Sequence, residues 1–224
     1  MQTISVAIDG PSGAGKSTLA RSIAAKLGYL YVDTGAIYRT IGYYIYTKDI
    51  DPKDESAVAA RLPEVHVELT YGEDGLQHML LNGRDVTKEI RLTQISMYAS
   101  AVSAHPAVRA FLLEMQQQLA RTNSVIMDGR DIGTVVLPDA DVKIFLTASP
   151  EARAQRRMLE LEQRGTPEPF EVVLKDIQER DWNDSHRAAA PLRQAEDAVL
   201  LDTTELTFAE SEAALLQIIK EKTK

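Results

Sequence analysis

Cysteine is absent from the sequence, which rules out disulfides, thiolate nucleophiles and Cys-based zinc sites. Histidine is sparse: His66, His78, His105 and His186 lie far apart and fall at no metal-ligand spacing. Positive charge is in deficit, with 33 acidic residues against 25 lysines and arginines and a formal net charge of −8. That balance suits neither a nucleic-acid coat nor an anionic membrane, so neither partner is expected. No apolar run approaches the ~20 residues of a membrane span. The chain opens on a strand-like run with no basic, apolar leader, so no signal peptide is expected and a cytoplasmic location fits. Internal repeats and low-complexity tracts are also missing. Hydrophobic residues make up 44% and charged residues 26% of the 224, enough for one domain with insertions around a real core.

What is present is an alternation of short apolar runs and helical patterns. "TISVAID" (Thr3–Asp9) is a β-branched run ending at Gly-Pro and reads as a buried strand. Leu19, Ile23 and Leu27 follow at helical spacing, with Gly28 as the stop. Tyr29–Asp33 reads as a second strand and "TGAIYRTIGYYIY" as the start of a helix. Ser124–Asp128, Val142–Thr147 and Ala198–Asp202 are further strand-like runs, with helical stretches over Pro106–Arg121, Pro150–Arg164 and Glu171–Arg187. Such an order predicts an α/β fold with a parallel sheet covered on both faces. Two segments depart from it. Val65–Thr70 and Leu76–Asn82, joined by "YGEDG", carry a hairpin signal, so residues 36–101 read as an insertion at the sheet's edge. "QRGTPEP" (Gln163–Pro169) reads as a hinged loop.

Gly10-Pro11-Ser12-Gly13-Ala14-Gly15-Lys16-Ser17 matches G-x-x-x-x-G-K-[ST] between a predicted strand and a predicted helix, the context this motif needs. Its glycines let backbone N–H groups face a phosphate, and the helix N-terminus adds the positive end of a dipole. Lys16 supplies a point charge to the β- and γ-phosphates, and Ser17 offers a hydroxyl to Mg²⁺. The motif alone leaves a GTPase, an ATPase or a kinase open. An N-K-x-D base-reading motif is missing, which counts against a GTPase. "VIMDGRD" has one aspartate followed by Gly-Arg-Asp rather than the acidic pair of a motor or transporter.

For an acidic chain the arginines are unevenly placed. Arg39 and Arg130 follow the ends of predicted strands, where open α/β sheets bind ligands. Arg153, Arg156 and Arg157 share a helix, and Arg180 and Arg187 lie in "RDWNDSHR". A solvated charge is the alternative for each, most of all for Arg109. A sugar hydroxyl as acceptor calls for a carboxylate base. A phosphate acceptor, with a second pKa of about 6, is already ionised and calls for arginines instead. A phosphate cradle, many arginines and no obvious base point to phosphoryl transfer onto a phosphate, as in a nucleoside monophosphate kinase.

"IDGPSGAGKST", "DTGAIYR", "DGRDIGTVV.PDA..KIFL.AS...RA.RR" and "RD..D..R...PL..A.DA...DT" together resemble the bacterial cytidylate kinase family across essentially the whole chain. The resemblance implies an adenylate-kinase-like, three-layer P-loop kinase fold with a five-stranded parallel sheet. It implies one domain over 1–224, with core 1–35, 102–152 and 170–224, an acceptor-binding insert over 36–101 containing the hairpin, and a short lid over 153–169. It further implies ATP as donor with Mg²⁺, CMP or dCMP as acceptor, and a monomer. By resemblance, residues Gly10 to Thr18 and Arg157 hold ATP, and Lys16, Arg130, Arg153 and Arg187 serve the transfer. Thr34, Arg39 and Arg130 belong to the acceptor side, with Arg39 and Arg130 on its phosphate. Ser100, Arg109 and Asp131 read cytosine, while Arg180 and Asp184 hold ribose. Cytosine N4 is a donor suited to a carboxylate, and its O2 and N3 are acceptors suited to arginine or hydroxyl. Asp9 and Asp33 could support the Mg²⁺ from behind Ser17, although Asp33 could instead cap the following helix. Remaining rivals are a kinase for UMP or shikimate, and a nucleotide-dependent switch without transfer.

Overall fold

The computed structural model describes residues 3–73, 75–163 and 165–223. In chain order they form β1 (Ser5–Asp9), α1 (Lys16–Leu27), β2 (Leu30–Asp33), α2 (Thr34–Thr47), α3 (Glu55–Arg61), β3 (Val67–Tyr71), β4 (Gln77–Leu81), β5 (Arg84–Asp85) and α4 (Thr93–Val102). There follow α5 (Pro106–Thr122), β6 (Val125–Gly129), a π-helical turn (Ile132–Val136), β7 (Val142–Thr147), α6 (Pro150–Gln163), α7 (Phe170–His186), β8 (Val199–Asp202) and α8 (Phe208–Lys222). Two compact units emerge, one of residues 1–31 and 120–224, the other of residues 32–119.

The first unit carries the five-stranded sheet, in the order β2-β6-β1-β7-β8. Pairings of β1 with β6 and β7, and of β7 with β8, are parallel. Val6, Ala7 and Ile8 are wholly buried, as expected of a central parallel strand with both faces covered. Leu19, Ala20 and Ile23 of α1 and Leu215 and Ile219 of α8 join Val6, Ile8, Ile144 and Leu146 in one apolar cluster. α1 ends where Gly28 takes a left-handed conformation and its N–H reaches back to Ala24. α6 and α7 form a smaller cluster through Ala154, Val173 and Ile177. Arg164, the predicted end of the first of these helices, lies outside the described residues, as does Asp74 in the "YGEDG" turn. Trp182 stays exposed on α7 and stacks on His186, with ring centroids 3.5 Å apart.

In register, Asp9 of β1 lies beside Gly129 of β6. The two segments that follow these strands, Gly10 onward and Arg130 onward, therefore leave the sheet side by side at its carboxyl edge. That is the edge where open parallel sheets bind ligands.

In the second unit, α2 packs on α4. Tyr46 and Tyr98 meet edge to face at 5.3 Å. A side chain on Gly42 would come within 2.8 Å of the Ala99 backbone nitrogen, so the two helices approach through that glycine. The predicted hairpin is present as antiparallel β3 and β4, Val67 opposite Leu81. A third strand, β5, extends it. β5 has two residues and no alternating pattern to betray it. Sequence reading opened the insert at 36 and closed it at 101; the compact unit takes in all of α2 and most of α5.

Candidate active site

In the first unit the loop after β1 runs hard against β7. A Cβ on Gly10 would stand 1.9 Å from the Leu146 carbonyl oxygen. The loop then folds over Lys16, whose Nζ donates to the Pro11 carbonyl at 2.7 Å. Lys16 is buried, and burial together with the Arg130 charge pulls its pKa down to about 7 against the opposing pull of Asp128, Asp184 and Asp9. Lys16 therefore gives up its proton far more readily than an exposed lysine does. A bound polyphosphate restores the proton. Nucleotide binding at pH 8 should therefore take up close to one proton per site, and at pH 6 almost none. Calorimetry in buffers of different ionisation enthalpy measures this directly; uptake that does not rise between pH 6 and 8 would contradict it.

Ser17 Oγ donates to Asp128 Oδ2 at 2.9 Å, and the Tyr31 hydroxyl donates to Asp128 Oδ1 at the same distance. Asp128, at the end of β6, is the carboxylate beside the Ser17 hydroxyl. The two carboxylates first considered for that place are otherwise engaged. Asp9 accepts from the backbone N–H groups of Ile132 and Gly133, each at 2.7 Å. In the second unit, Asp33 caps α2 by accepting from Ala36 N–H at 2.9 Å. Asp33 also faces Arg91 at 3.1 Å and Arg39 at 3.9 Å. Burial resists its ionisation, yet the two guanidiniums hold its pKa below the usual carboxylate range. Sequence reading missed Asp128 and Arg91. The signal for Asp128 was its place at the end of a strand-like run.

The Arg130 segment follows β6. Arg130 Nε donates to Asp184 Oδ2 at 2.7 Å, and both side chains are largely buried. Burial opposes the Asp184 charge, but Arg130, Arg180 and Arg187 outweigh it and keep the carboxyl below its ordinary range. Arg187 reaches Asp131 Oδ1 at 3.3 Å and the Ala190 carbonyl at 2.7 Å. Arg130, Asp131, Arg180, Asp184 and Arg187 thus form one charged cluster, and the Arg130 charge is felt at Lys16.

The three helix arginines behave differently from one another. Arg153 is buried, grips Asp181 through both terminal nitrogens at 3.1 and 2.6 Å, and donates to the carbonyls of Ala148 at 2.8 Å and of Ser12 at 3.0 Å. It therefore ties α6 and α7 to the loop after β1. Arg156 binds the Thr203 carbonyl at 2.5 Å. Arg157 is partly exposed and pairs with Glu160 at 3.0 Å.

In the second unit, Ser100 and Arg109 converge on one turn between α4 and α5. Ser103 Oγ donates to the Ser100 carbonyl at 2.8 Å, and Arg109 donates to the Ser103 carbonyl at 3.0 Å. The Arg109 guanidinium also stands 5.5 Å from the Tyr38 ring centroid, a tyrosine not singled out from sequence. Thr34, buried, opens α2, and Arg39 follows one turn later.

Comparison with known proteins bears on the whole chain. The cytidylate kinase family model matches residues 6–221. The chain belongs to the cytidylate kinase family. A cytidylate kinase of Oceanobacillus iheyensis is 48% identical over 218 residues, 97% of this chain and 94% of the relative. One from Caldicellulosiruptor bescii is 47% identical over 97% of this chain and 96% of its own. Among solved structures, an uncharacterized protein from Eubacterium ventriosum shares the fold at TM-score 0.50 and 11% identity, covering 99% of each chain. No helix among the described residues is long and apolar enough to cross a membrane.

Proposed function

We propose that the protein transfers the γ-phosphoryl group of ATP to the phosphate of CMP or dCMP, giving ADP and CDP or dCDP. The observation that carries this reading is the pairing of neighbouring strand ends: β1 delivers the Gly10–Ser17 cradle, and β6 delivers Arg130 and Asp131 beside it. Two polyanions must meet for this reaction, and clustered guanidiniums offset their repulsion. In the transfer, an oxygen of the acceptor phosphate bonds to the γ-phosphorus. The bond from phosphorus to the β,γ-bridging oxygen breaks, and its electron pair leaves with ADP. The acceptor needs no base, because it is already ionised. Lys16 and the start of α1 hold the donor phosphates, while Arg130 and Arg187 face the charge that develops in transfer. Arg153 contributes by bracing the cradle through Ser12, and Arg180 with Asp184 serves the ribose. Arg39, Thr34, Ser100 and Arg109 of the second unit, with Asp131, are assigned to CMP, and Arg157 to the adenine side of ATP.

Mg²⁺ suits the residues present. Ser17 and Asp128 offer hard oxygen atoms, and no group of three or more metal-ligating side chains exists among the described residues. An ion held by few protein oxygens and by substrate phosphates is the usual arrangement for Mg²⁺. Its chemistry there would be to neutralise charge on the β- and γ-phosphates. The protein acts as a monomer on small molecules in the cytoplasm.

A panel of acceptors tests the reading. CMP and dCMP should give diphosphate product, UMP should be at least about tenfold poorer in kcat/KM, and shikimate should give none. Equal turnover of UMP and CMP, or slow ATP hydrolysis without any nucleoside diphosphate product, would overturn it.

A further inference from the structure

Asp9 is the last residue of β1, directly before the cradle, and it is 5% exposed. Both of its carboxylate oxygens are engaged by backbone amides. Each accepts one backbone N–H, from Ile132 and from Gly133, across 123 and 124 residues of sequence. These two amides open the π-helical turn Ile132–Val136. A π-helical turn is a rare conformation with little stability of its own, and the N–H groups that open a helical turn have no partner inside it. Asp9 supplies that partner twice. Asp131 immediately precedes the turn, and its carbonyl accepts from Val135 and Val136 N–H at 2.9 and 3.1 Å. The Asp131 backbone is therefore fixed on one side by the turn and on the other by β6. β1 itself has little freedom, because Gly10 is pressed against Leu146.

We propose that Asp9 is a positioning residue for the acceptor: it locks the backbone after Asp131 to β1, and so holds the Asp131 carboxylate where CMP is read. This rests on the assignment of CMP as acceptor. Asp9 acts on the acceptor side through the two amides, and its charge is felt at Lys16 less than those of Asp128 and Asp184. Because the cradle is anchored separately, by Gly10 against Leu146 and by Arg153 donating to the Ser12 carbonyl, loss of the Asp9 carboxylate disturbs the acceptor side more than the donor side.

The test compares the wild-type enzyme with Asp9→Asn, which keeps one acceptor oxygen, and Asp9→Ala, which keeps none. KM for CMP should rise about tenfold in the first and further in the second, while KM for ATP stays within about twofold and kcat falls less than KM rises. A purely structural role would lower the melting temperature without splitting the two KM values. If the wild type fails to phosphorylate CMP, the assigned function is wrong; if it succeeds and both variants keep the wild-type KM for CMP, or raise both KM values equally, only the role of Asp9 is wrong. Should neither variant fold, hydrogen exchange of the wild type decides. CMP should slow exchange at the Ile132 and Gly133 amides about tenfold, and a non-hydrolysable ATP analogue should leave them within about twofold. Equal slowing by the two ligands would overturn the proposal.

Discussion

Arg130→Ala should lower kcat/KM for CMP by about a thousandfold, a loss of roughly 4 kcal/mol in transition-state stabilisation. The guanidinium is largely buried, paired with Asp184 and close enough to Lys16 to depress its pKa. It is therefore fixed in place before substrate arrives, and a charge that needs no reorganisation during transfer is worth more than a mobile one. Steady-state kinetics check this, and a loss of under about threefold would remove Arg130 from the mechanism. Stability should fall as well. Asp184 would lose its hydrogen-bonded partner and its largest stabilising charge, and breaking a buried pair from one side costs about 3 kcal/mol. That corresponds to a melting temperature lower by roughly 6–12 °C in a chain of this size. A double variant, Arg130→Ala with Asp184→Asn, separates the two effects. It should recover most of the stability and none of the turnover.

Gly10→Ala should be the most damaging small change in the cradle. The new methyl carbon would lie 1.9 Å from the Leu146 carbonyl oxygen and 3.0 Å from its carbon. Both are backbone atoms of the interior strand β7, so no side chain can swing aside. The φ of Gly10, +149°, adds a conformation that alanine rarely takes. Relief requires the loop to lift from β7, which pulls Lys16 and the first turn of α1 out of place. A destabilisation of about 4 kcal/mol is expected, or roughly 8–16 °C in melting temperature, with ATP binding weakened beyond detection. Thermal unfolding and calorimetric titration with ATP measure the two. A variant that melts within about 2 °C of wild type with unchanged affinity would show that the close approach is not required.

The parts of the site that follow from local chemistry were legible in the sequence. A phosphate cradle needs glycines, a lysine and a hydroxyl within a few residues, between a strand and a helix, and all of these are contiguous. β1 could be read because a central parallel strand is apolar on both faces, and α1 because Gly28 marks its end. The pairings that aim the cluster were not legible. Asp9 with Ile132 and Gly133, Asp128 with Tyr31, and Arg153 with Asp181 and Ser12 are set by which strands lie side by side, and no local pattern announces strand order. β5 is too short to show a period. α8 escaped notice although Thr207 and Glu210 close a reciprocal capping box at its start. The family resemblance assigned Arg153 to the transfer, and its geometry shows what such a resemblance leaves out: a guanidinium with four oxygen partners inside the protein.

Trp182 is the sole tryptophan, and it sits exposed on the helix that also carries Arg180, Asp181 and Asp184, stacked on His186. All indole emission from this protein therefore originates on α7, one residue from the carboxylate that grips Arg153. The imidazole against that ring makes its brightness sensitive to any change in the stack. The molecule carries a built-in optical probe on the helix that links the cradle to the arginine cluster, and it can be read without attaching a dye.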